Sequence, residues 1–496
     1  MKARNHDPAR VPSPGPQRVA MVSLGCAKNL VDSEIMLGEL ARQGHRIVAD
    51  ADSADTVIIN TCGFIDQAKE ESIDAILEMT AKKGAVHGPG RVLVAGCMVN
   101  RYGDELARSI PEVDAFIGLD ELRSVGQALH LPLGRQQPRD ASQGAAAGKN
   151  LIQIGAAAGG TTVAMPSPSE GIFDHTSPRL LTTRGHAFLK VAEGCNNPCT
   201  FCAIPSWRGR FRSRSIPSLV EEAQRLEAEG IQELCLIAQD TTRYGEDLGL
   251  GKSGLRRLVE ALLDATCVPW IRFLYAYPTT LDDDLLVLMG EQPRFVSYLD
   301  IPLQHSHPDM LRAMRRGGRA ERYLRLLERA RACAGDVFLR TTFIVGFPGE
   351  RQEHFDHLLA FIEQARFDHL GAFVYSPEDA TPSASLPDRV PAGIARRRHQ
   401  ALLAAQEPIA RARRQALVGR RLKVLVEGVC SETEHLLEGR HHGMAPGIDG
   451  RLLINDGIAP AGSFAEVEIT DAFADDLVGR IVGPEGVDGV VPASVA

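Results

Sequence analysis

Residues 191–205 read VAEGCNNPCTFCAIP, and the cysteines Cys195, Cys199 and Cys202 are separated by three and then two residues. The chain has ten cysteines among 496 residues, so this spacing would arise by chance about 0.004 times per chain. Three thiolates spaced in this way can hold a [4Fe-4S] cluster and leave its fourth iron without a protein ligand. Zinc is the rival metal, but the loop supplies three thiols and no nearby histidine. The stretch therefore predicts an iron-sulfur site with one open iron.

The sequence around this loop alternates apolar strands with helical stretches. The strand segments are HAFLKVA, QELCLIA, PWIRFLY, VSYLDIP, VFLRTTFIVGFP and DHLGAFVY. The helices are expected near 217–229, 254–265, 281–290, 308–334 and 352–366. Six such units predict a partial TIM-like (β/α)6 barrel, in which chemistry lies at the C-terminal ends of the strands. The cysteine loop follows the first strand and should lie at that end.

A second cysteine set lies in the N-terminal part of the chain. There the strands RVAMVSL, DTVIIN and RVLVAG alternate with helices, which predicts a doubly wound parallel sheet. Cys26, Cys62 and Cys97 each follow one of these strands. Because binding sites lie outside the carboxyl ends of the strands in such a sheet, the three thiols should converge on a second cluster. Taken singly, each could also be a buried structural cysteine.

Other residues carry weaker signals. Gln239 and Asp240 follow the second barrel strand and Gly346 follows the fifth, so each reads equally well as a ligand contact or as a turn residue. His441 and His442 lack partner ligands in the sequence and are expected to be exposed turn residues. The arginines of the stretch 208–214 would pair with carboxylates of a ligand or form a solvated face. The cysteines expected in the core are Cys235, Cys267, Cys333 and Cys430.

Composition divides the chain into several parts. A proline-rich start predicts a disordered tail, and a stretch rich in Ala, Gly, Ser and Pro predicts a linker or insertion. The segments RLKVLVEG, GRLLIND, SFAEVEITDAF and LVGRIVG predict a small all-β C-terminal barrel. The predicted parts are a tail (1–17), the N-terminal sheet domain (18–133), the linker (134–180), the partial barrel (181–415), the small barrel (416–484) and a second tail (485–496).

The net charge of −8 excludes a global basic field for nucleic acid and would attract a basic protein partner. No apolar run approaches the ~20 residues that span a bilayer. The N-terminus lacks the apolar region of a secretory signal. We therefore expect a cytoplasmic protein without membrane association, whose thiols bind metal rather than form disulfides.

The motifs together resemble the methylthiotransferases, a subgroup of the radical S-adenosylmethionine enzymes, over residues 18–133 and 180–483. The segments that carry the resemblance to the RimO-type branch are VSLGCAKNLVDSE, NTCGFID, EGCNNPCTFCAIP, LIAQDTTRYG, RFLYAYP, DIPLQH, TTFIVGFPGE and VYSPEDATP. Two positions depart from the pattern, since Ala380 replaces an expected glycine and Gly447 an expected acidic residue. Neither position is a predicted cluster ligand.

The resemblance implies an N-terminal methylthiotransferase domain, a radical S-adenosylmethionine (SAM) barrel and a C-terminal TRAM barrel. It also implies two [4Fe-4S] clusters, with S-adenosylmethionine as methyl donor and radical source. Phe201 would pack near the adenine, and Gln239, Asp240 and Gly346 would be further cofactor contacts. The implied cluster ligands are Cys26, Cys62, Cys97, Cys195, Cys199 and Cys202.

The implied reaction is a methylthio transfer to the β-carbon of an aspartate in small-subunit ribosomal protein twelve (uS12), free or in the 30S subunit. The implied partners are a sulfur carrier and an electron donor such as flavodoxin or ferredoxin, and a monomer is the default expectation. The alternative is a tRNA adenosine methylthiotransferase of the same architecture.

Charge discriminates between these two substrates. Residues 420–480 contain six Lys or Arg and eleven Asp or Glu. RNA binding depends on neutralising phosphates, so an acidic barrel favours a basic ribosomal protein over tRNA. The basic helix predicted at 396–414 is the counter-evidence, unless it packs against the barrel or touches ribosomal RNA. A rival from another class is a non-catalytic RNA-binding or ribosome-associated module with structural cysteines.

Overall fold

The computed structural model describes residues 15–85, 87–129 and 176–483. Two compact units are separated after Leu180. The predicted tails at 1–17 and 485–496 and the predicted linker at 134–180 lie wholly or largely outside the described residues. Among the helices of the described part, none combines the length and the apolar character that crossing a membrane requires.

The first unit is built from five strands and four helices. These are β1 (Arg18–Ser23), α1 (Ala27–Arg42), β2 (Arg46–Ile47), β3 (Thr56–Thr61), α2 (Asp66–Lys82), β4 (Arg91–Gly96), α3 (Cys97–Ser109), β5 (Ala115–Ile117) and α4 (Val125–Leu129). The strands form one parallel sheet in the order β2-β1-β3-β4-β5. The central strand β3 is buried along its whole length, as expected for a parallel strand covered on both faces.

The strand order of this sheet determines where its binding edge lies. In a doubly wound sheet of order 2-1-3-4-5, the switch point lies between β1 and β3. The predicted parallel sheet is confirmed, with its three long strands at the centre. The edge strands β2 and β5 were not predicted, because two and three residues carry no periodic pattern.

The second unit begins with a partial barrel. Its elements are β6 (His186–Lys190), β7 (Ala192–Glu193), α5 (Ile204–Arg208), β8 (Arg212–Ser213), α6 (Ile216–Ala228), β9 (Glu233–Ile237), α7 (Gly254–Ala265), β10 (Trp270–Phe273), α8 (Asp283–Glu291), β11 (Tyr298–Gln304), α9 (Pro308–Ala313), α10 (Ala320–Ala334), β12 (Phe338–Val345), α11 (Gln352–Ala365), β13 (His369–Val374) and α12 (Ala392–Gln415). Two parallel sheets, β10-β9-β6 and β11-β12-β13, form its wall. The six predicted strands are all present.

The barrel helices bury apolar stripes against the strands. In α7, Leu255, Leu258, Val259 and Leu262 are buried at helical spacing. They join one continuous core with the barrel strands. Full burial of each such side chain contributes roughly 1.5–3 kcal/mol, so this core holds the strand ends, and the loops on them, in position.

One predicted helix is wrong. The stretch 308–334 is two helices, α9 and α10, because Arg315 (φ 50°) and Gly318 (φ 130°) turn the chain between them. A Cβ on Gly318 would lie 2.3 Å from the ring of Tyr323, so this position requires glycine. The pair Gly317–Gly318 was the signal for the break.

The last part of the second unit is a closed five-stranded barrel. Its strands are β14 (Arg421–Val429), β15 (Leu437–His441), β16 (Leu452–Asp456), β17 (Phe464–Ala472) and β18 (Leu477–Ile481). They close in the order β14-β15-β16-β18-β17. Strand β15 was not predicted. The expectation that His441 is an exposed turn residue is wrong, because it ends β15, is buried and packs on Phe338. His442, also expected to be exposed, packs edge-on against the same ring.

The small barrel contacts the N-terminal ends of the strands of the partial barrel. Glu233, the first residue of β9, is fully buried and accepts a hydrogen bond from Arg272 Nε (2.6 Å). Arg440 of β15 lies with Nη2 2.8 Å from Glu233 Oε2. Beside it, Tyr298 donates to Asp449 (2.7 Å), and Arg340 contacts both Asp449 and Asp300. Buried ion pairs therefore close the end of the barrel opposite to the cysteine loop.

Charge removal at Glu233 tests this closure. Burial alone would raise the pKa of the Glu233 carboxyl, but Arg272 and Arg440 overcome burial and hold it at about 2. Glu233→Gln should lower stability by roughly 3–5 kcal/mol, because two buried arginines lose their shared counter-charge. Urea unfolding measures the loss. Glu468→Gln, which breaks the exposed pair with Arg480, is the control and should cost less than about 1 kcal/mol.

The same carboxyl gives a pH dependence with a defined sign. Its folded pKa of about 2 lies below the ordinary 4.5, so the unfolded chain binds the proton more readily. The Glu233 contribution is therefore complete above about pH 4.5 and is lost as the pH falls towards 2. If Glu233→Gln and the parent differ as much in stability at pH 2.5 as at pH 7, the ion-pair explanation is wrong.

Candidate active site

The cysteine loop starts at the C-terminal end of β6 and is held by the β7–β8 pair. Gly194 has φ 77°, and a Cβ there would lie 2.1 Å from Arg210 O. Cys195 N donates to Gly209 O (3.1 Å), and Cys202 N donates to Cys199 O (3.2 Å). These hydrogen bonds fold the loop into one short turn that carries all three thiols.

The environment of the thiols fits an iron-sulfur cluster. All three cysteines are half-buried, and Asn197 N donates to Cys195 Sγ (3.4 Å). Burial raises the pKa of the Cys195 thiol and raises that of Cys202 to about 12. Metal binding must therefore displace these protons. A donor set of soft thiols, with N–H groups pointed at sulfur, suits an iron-sulfur cluster.

A buried ion network lies beneath the loop. The Glu193 carboxylate pairs with Lys190 (3.0 Å) and with Arg208 (3.0 Å). Burial opposes its charge, but Arg208 and Lys190 hold the pKa of Glu193 well below its usual range. Gln239 Nε2 also donates to Glu193 (3.0 Å), and Gln239 Oε1 is buried without a hydrogen-bond partner among the described residues. Gln239 thus offers one unused acceptor.

Asp240 is buried beside Gln239 and fixes the loop from the other side. Its carboxylate accepts from Asn197 Nδ2 (2.7 Å) and from Thr242 Oγ1 (2.7 Å). Burial raises the pKa of Asp240. Because Asn197 also directs its N–H at Cys195, Asp240 orients the loop through Asn197.

Phe201 and Gly346 occupy different surroundings. Phe201 is half-buried against an apolar cluster that includes Met310, Met314 and Phe347. Gly346 (φ 77°) follows β12, and a Cβ there would lie 2.5 Å from the Cβ of Ala395 in α12. The need for glycine at 346 is thus explained by helix packing.

The second cysteine set converges at the carboxyl edge of the first unit's sheet. Cys26 is the N-cap of α1, Cys62 follows β3, and Cys97 opens α3 after β4. The strands that precede the three cysteines, β1, β3 and β4, are neighbours in the sheet. A Cβ on Gly25 would lie 2.9 Å from the Cβ and 3.3 Å from the Sγ of Cys62, so the backbone of the residue before Cys26 closely approaches Cys62.

Asn29, which the sequence reasoning did not single out, joins the three segments. Its Nδ2 donates to Leu24 O (3.1 Å) and to Thr61 O (2.9 Å), the residue before Cys62. Its Oδ1 lies 3.4 Å from Cys97 Sγ. Cys26 is exposed and Cys97 buried, so this site opens to solvent on the Cys26 side. Three soft thiol ligands at one edge of the sheet fit a second cluster.

The Arg-rich stretch after the loop is neither a ligand clamp nor a solvated face. Arg208 pairs with Glu193 and Arg214 with Glu222, and both arginines are buried. Arg212 is buried as well, whereas Arg210 is exposed. The three buried arginines, Arg208, Arg212 and Arg214, anchor the β7–β8 pair.

The four remaining cysteines differ in their burial. Cys235 and Cys430 are buried, as expected, and Cys333 is half-buried. The core prediction is wrong for Cys267, which is exposed because it follows the end of α7.

A group of two histidines and one aspartate also lies in the second unit, with ligand atoms of His307, Asp309 and His354 within 4.8 Å of one another. His307 Nδ1 accepts from Asp309 N (3.2 Å), and His354 Nδ1 accepts from Arg351 N (3.1 Å). A neutral ring that accepts at Nδ1 keeps its proton on Nε2. The two rings therefore serve as caps of α9 and α11.

Three family models match the chain. The first, described as "Uncharacterized protein family UPF0004", matches residues 18–118. The second is the radical SAM superfamily, at residues 189–362, and the third is a TRAM domain, at residues 418–482.

Curated relatives match over almost the whole length. Proteins called ribosomal protein uS12 methylthiotransferase RimO are similar to the chain in three bacteria. The protein of Anaeromyxobacter sp. (strain K) is 47% identical, covering 94% of this chain and 93% of its own. Those of Koribacter versatilis and Solibacter usitatus are 42% and 43% identical, covering 95% and 96% of this chain and 97% of their own.

Solved structures share the fold at low identity. Two structures of the radical S-adenosylmethionine methyltransferase TsrM from Kitasatospora setae align with TM-scores of 0.51 and 0.53, at 17% and 15% identity. The first covers 74% of each chain, and the second covers 79% of this chain and 89% of TsrM.

Gly194 provides a test of the loop geometry. Gly194→Ala combines left-handed strain, worth roughly 1–2 kcal/mol, with a collision against Arg210 O. After reconstitution with iron and sulfide, we expect the variant to bind less iron than the parent protein, as measured by iron content. Gly230→Ala is the matched control, since Gly230 has φ 89° but open space around its Cβ position. It should keep the iron, and a Gly194→Ala protein that also keeps it would contradict the geometry.

Proposed function

Because the chain belongs to the RimO family of ribosomal protein uS12 methylthiotransferases, we propose that it transfers a methylthio group to the β-carbon of an aspartate in uS12. The observation that carries this proposal is the 42–47% identity over 94–96% of the chain. The two matched models at 18–118 and 189–362 span both three-cysteine sites.

The chemistry requires a radical, because acid–base groups cannot break an unactivated C–H bond at neutral pH. S-adenosylmethionine bound at an iron-sulfur cluster supplies this radical chemistry. In our proposal each three-cysteine site holds one [4Fe-4S] cluster. Its support is that each site offers three thiols, one set in a single loop after β6 and the other after three neighbouring strands, and that thiol ligands suit such clusters.

The protein side chains would position these groups. Lys190, Glu193 and Arg208 hold the cysteine loop against β6. Gln239 Oε1 is the unused acceptor for a donor group of the cofactor, and Phe201 supplies an apolar surface for its adenine. Asp240 acts through Asn197, and Gly346 allows α12 to approach β12.

Charge supports a protein substrate. Within the acidic small barrel, most of the basic side chains are already neutralised by carboxylates. Arg440 pairs with Glu233, and Arg480 pairs with Glu468. Arg451 and Arg420 are likewise paired with acidic residues. Few cations are left to bind phosphates, so the barrel suits a basic ribosomal protein. The basic helix α12 packs on β13 and β17.

The proposal extends to the setting of the reaction. A substrate in the ribosome implies the cytoplasm, and the reductant would be a one-electron donor of the flavodoxin or ferredoxin class. The sulfur comes from a separate carrier, and the working state is a monomer.

Mass spectrometry of the products tests the substrate. The protein, reconstituted anaerobically, would receive S-adenosylmethionine, sulfide and a reductant, with uS12 and bulk tRNA in parallel reactions. We expect a methylthio group on one aspartate of uS12 and no change in tRNA. Modified tRNA adenosine with unmodified uS12 would overturn the substrate assignment.

Cysteine variants separate the two sites. Cys199→Ala should abolish S-adenosylmethionine cleavage, because the cluster on the loop loses a ligand. Cys97→Ala should retain cleavage and abolish methylthio transfer. Each should lower the iron content from about eight to about four per chain. Cys333→Ala, a half-buried cysteine outside both sites, is the control and should retain all three properties. Retained methylthio transfer in Cys97→Ala would contradict the two-cluster proposal.

A further inference from the structure

The break between α9 and α10 brings an arginine to the cysteine loop. Thr200, the residue after Cys199, donates its N–H to Met314 O (3.1 Å) and its Oγ1 to Ala313 O (2.8 Å). Arg316 N donates back to Leu311 O (2.8 Å). The end of α9 is thus bonded to the cluster loop, and Arg316 follows it at a fixed position.

The Arg316 guanidinium lies against Cys199. Its Nη1 is 3.7 Å from Cys199 Sγ, and its Nη2 donates to Pro302 O. Its Cζ lies 4.1 Å from the centre of the Tyr277 ring, within the range of a cation–π contact. The carbonyl and the ring therefore orient the guanidinium towards the sulfur.

Arg316 is half-buried, and it lacks the carboxylate partner that several buried arginines of the unit have. Arg214, Arg272 and Arg398 each contact a carboxylate at 2.6–2.8 Å. Among the described residues, no acidic side chain lies within ion-pair distance of Arg316, whose Nε is buried without a hydrogen-bond partner. A cation taken out of water needs a counter-charge. The Asp240 carboxylate interacts with Arg316 at longer range, and a cluster held by the three thiols would place negative charge directly beside the guanidinium.

We infer that Arg316 is a positioning residue that sets the reduction potential of the cluster on Cys195, Cys199 and Cys202. This inference rests on the proposed function, since it requires that the loop carries a [4Fe-4S] cluster. Reduction adds one electron from a low-potential donor and makes the cluster more negative. A fixed cation beside a ligand sulfur stabilises that form, because net charge and hydrogen bonds to sulfur tune such potentials.

A redox titration monitored by electron paramagnetic resonance tests the inference, with dithionite as the reductant. It uses the full chain carrying Cys97→Ala, so that one cluster is observed. Arg316→Gln should make the potential more negative by at least 59 mV, a tenfold change in a one-electron equilibrium. Arg316→Lys, which retains the charge, should shift it by less than half as much. Arg316→Met is the second neutral variant, to be used if the Gln variant does not assemble the cluster.

Arg312→Gln is the matched control. Arg312 lies on α9 four residues before Arg316, but its side chain is 77% exposed and pairs with Asp309. Solvent and salt screen such a charge, so its removal should leave the potential unchanged. An unchanged potential in the neutral Arg316 variants, or equal shifts in the Lys and Gln variants, would overturn the role of Arg316. A loop that binds no cluster in the Cys97→Ala protein would instead overturn the proposed function.

Discussion

The buried carboxylate of Glu193 is the contact on which the active-site end of the barrel depends. It is drawn out of water only because Lys190 and Arg208 accompany it, and loss of either partner would leave a buried charge uncompensated. The three charges join the end of β6, the start of the cysteine loop and α5. Gln239 adds the end of β9 to the same network. The loop therefore has a rigid base although its own residues form little regular structure.

A second buried carboxylate with two cationic partners lies at the opposite end of the barrel. There, Glu233, Arg272 and Arg440 are buried together, and the partner charge comes from the small C-terminal barrel. Ion pairs of this kind contribute less net stability than apolar side chains of equal size. They do require specific partners, so the small barrel can dock in one register. Its docking leaves the carboxyl ends of the strands, where the cysteine loop lies, uncovered by that domain.

The long buried strands and the convergence of the cysteines were predictable from sequence because they follow from local patterns. Buried parallel strands are recognisable as apolar runs, and Cys26, Cys62 and Cys97 each follow the end of one within three residues. The contacts of Asn29 were not predictable, since its partners at Thr61 and Cys97 are distant in the chain. His441 was misread for a related reason. Its strand, LEGRH, has no apolar alternation, and burial of the ring depends on Phe338 of another domain. The arginines of 208–214 were likewise read either as partners of ligand carboxylates or as a solvated face, because their actual carboxylate partners are not sequence neighbours.

The two cysteine sites offer the same kind of ligands, but they depend on folding to different extents. Cys195, Cys199 and Cys202 belong to a single turn, so a short segment already contains every protein ligand. Cys26, Cys62 and Cys97 come from three strands and approach one another only when β1, β3 and β4 are paired. Metal binding free energy becomes folding free energy when the site does not exist in the unfolded chain. If both sites hold the clusters we propose, the first unit should gain more stability from its cluster than the second unit does, because the second unit also has a large apolar core. The sequence spacing of the ligands thus carries thermodynamic as well as chemical information.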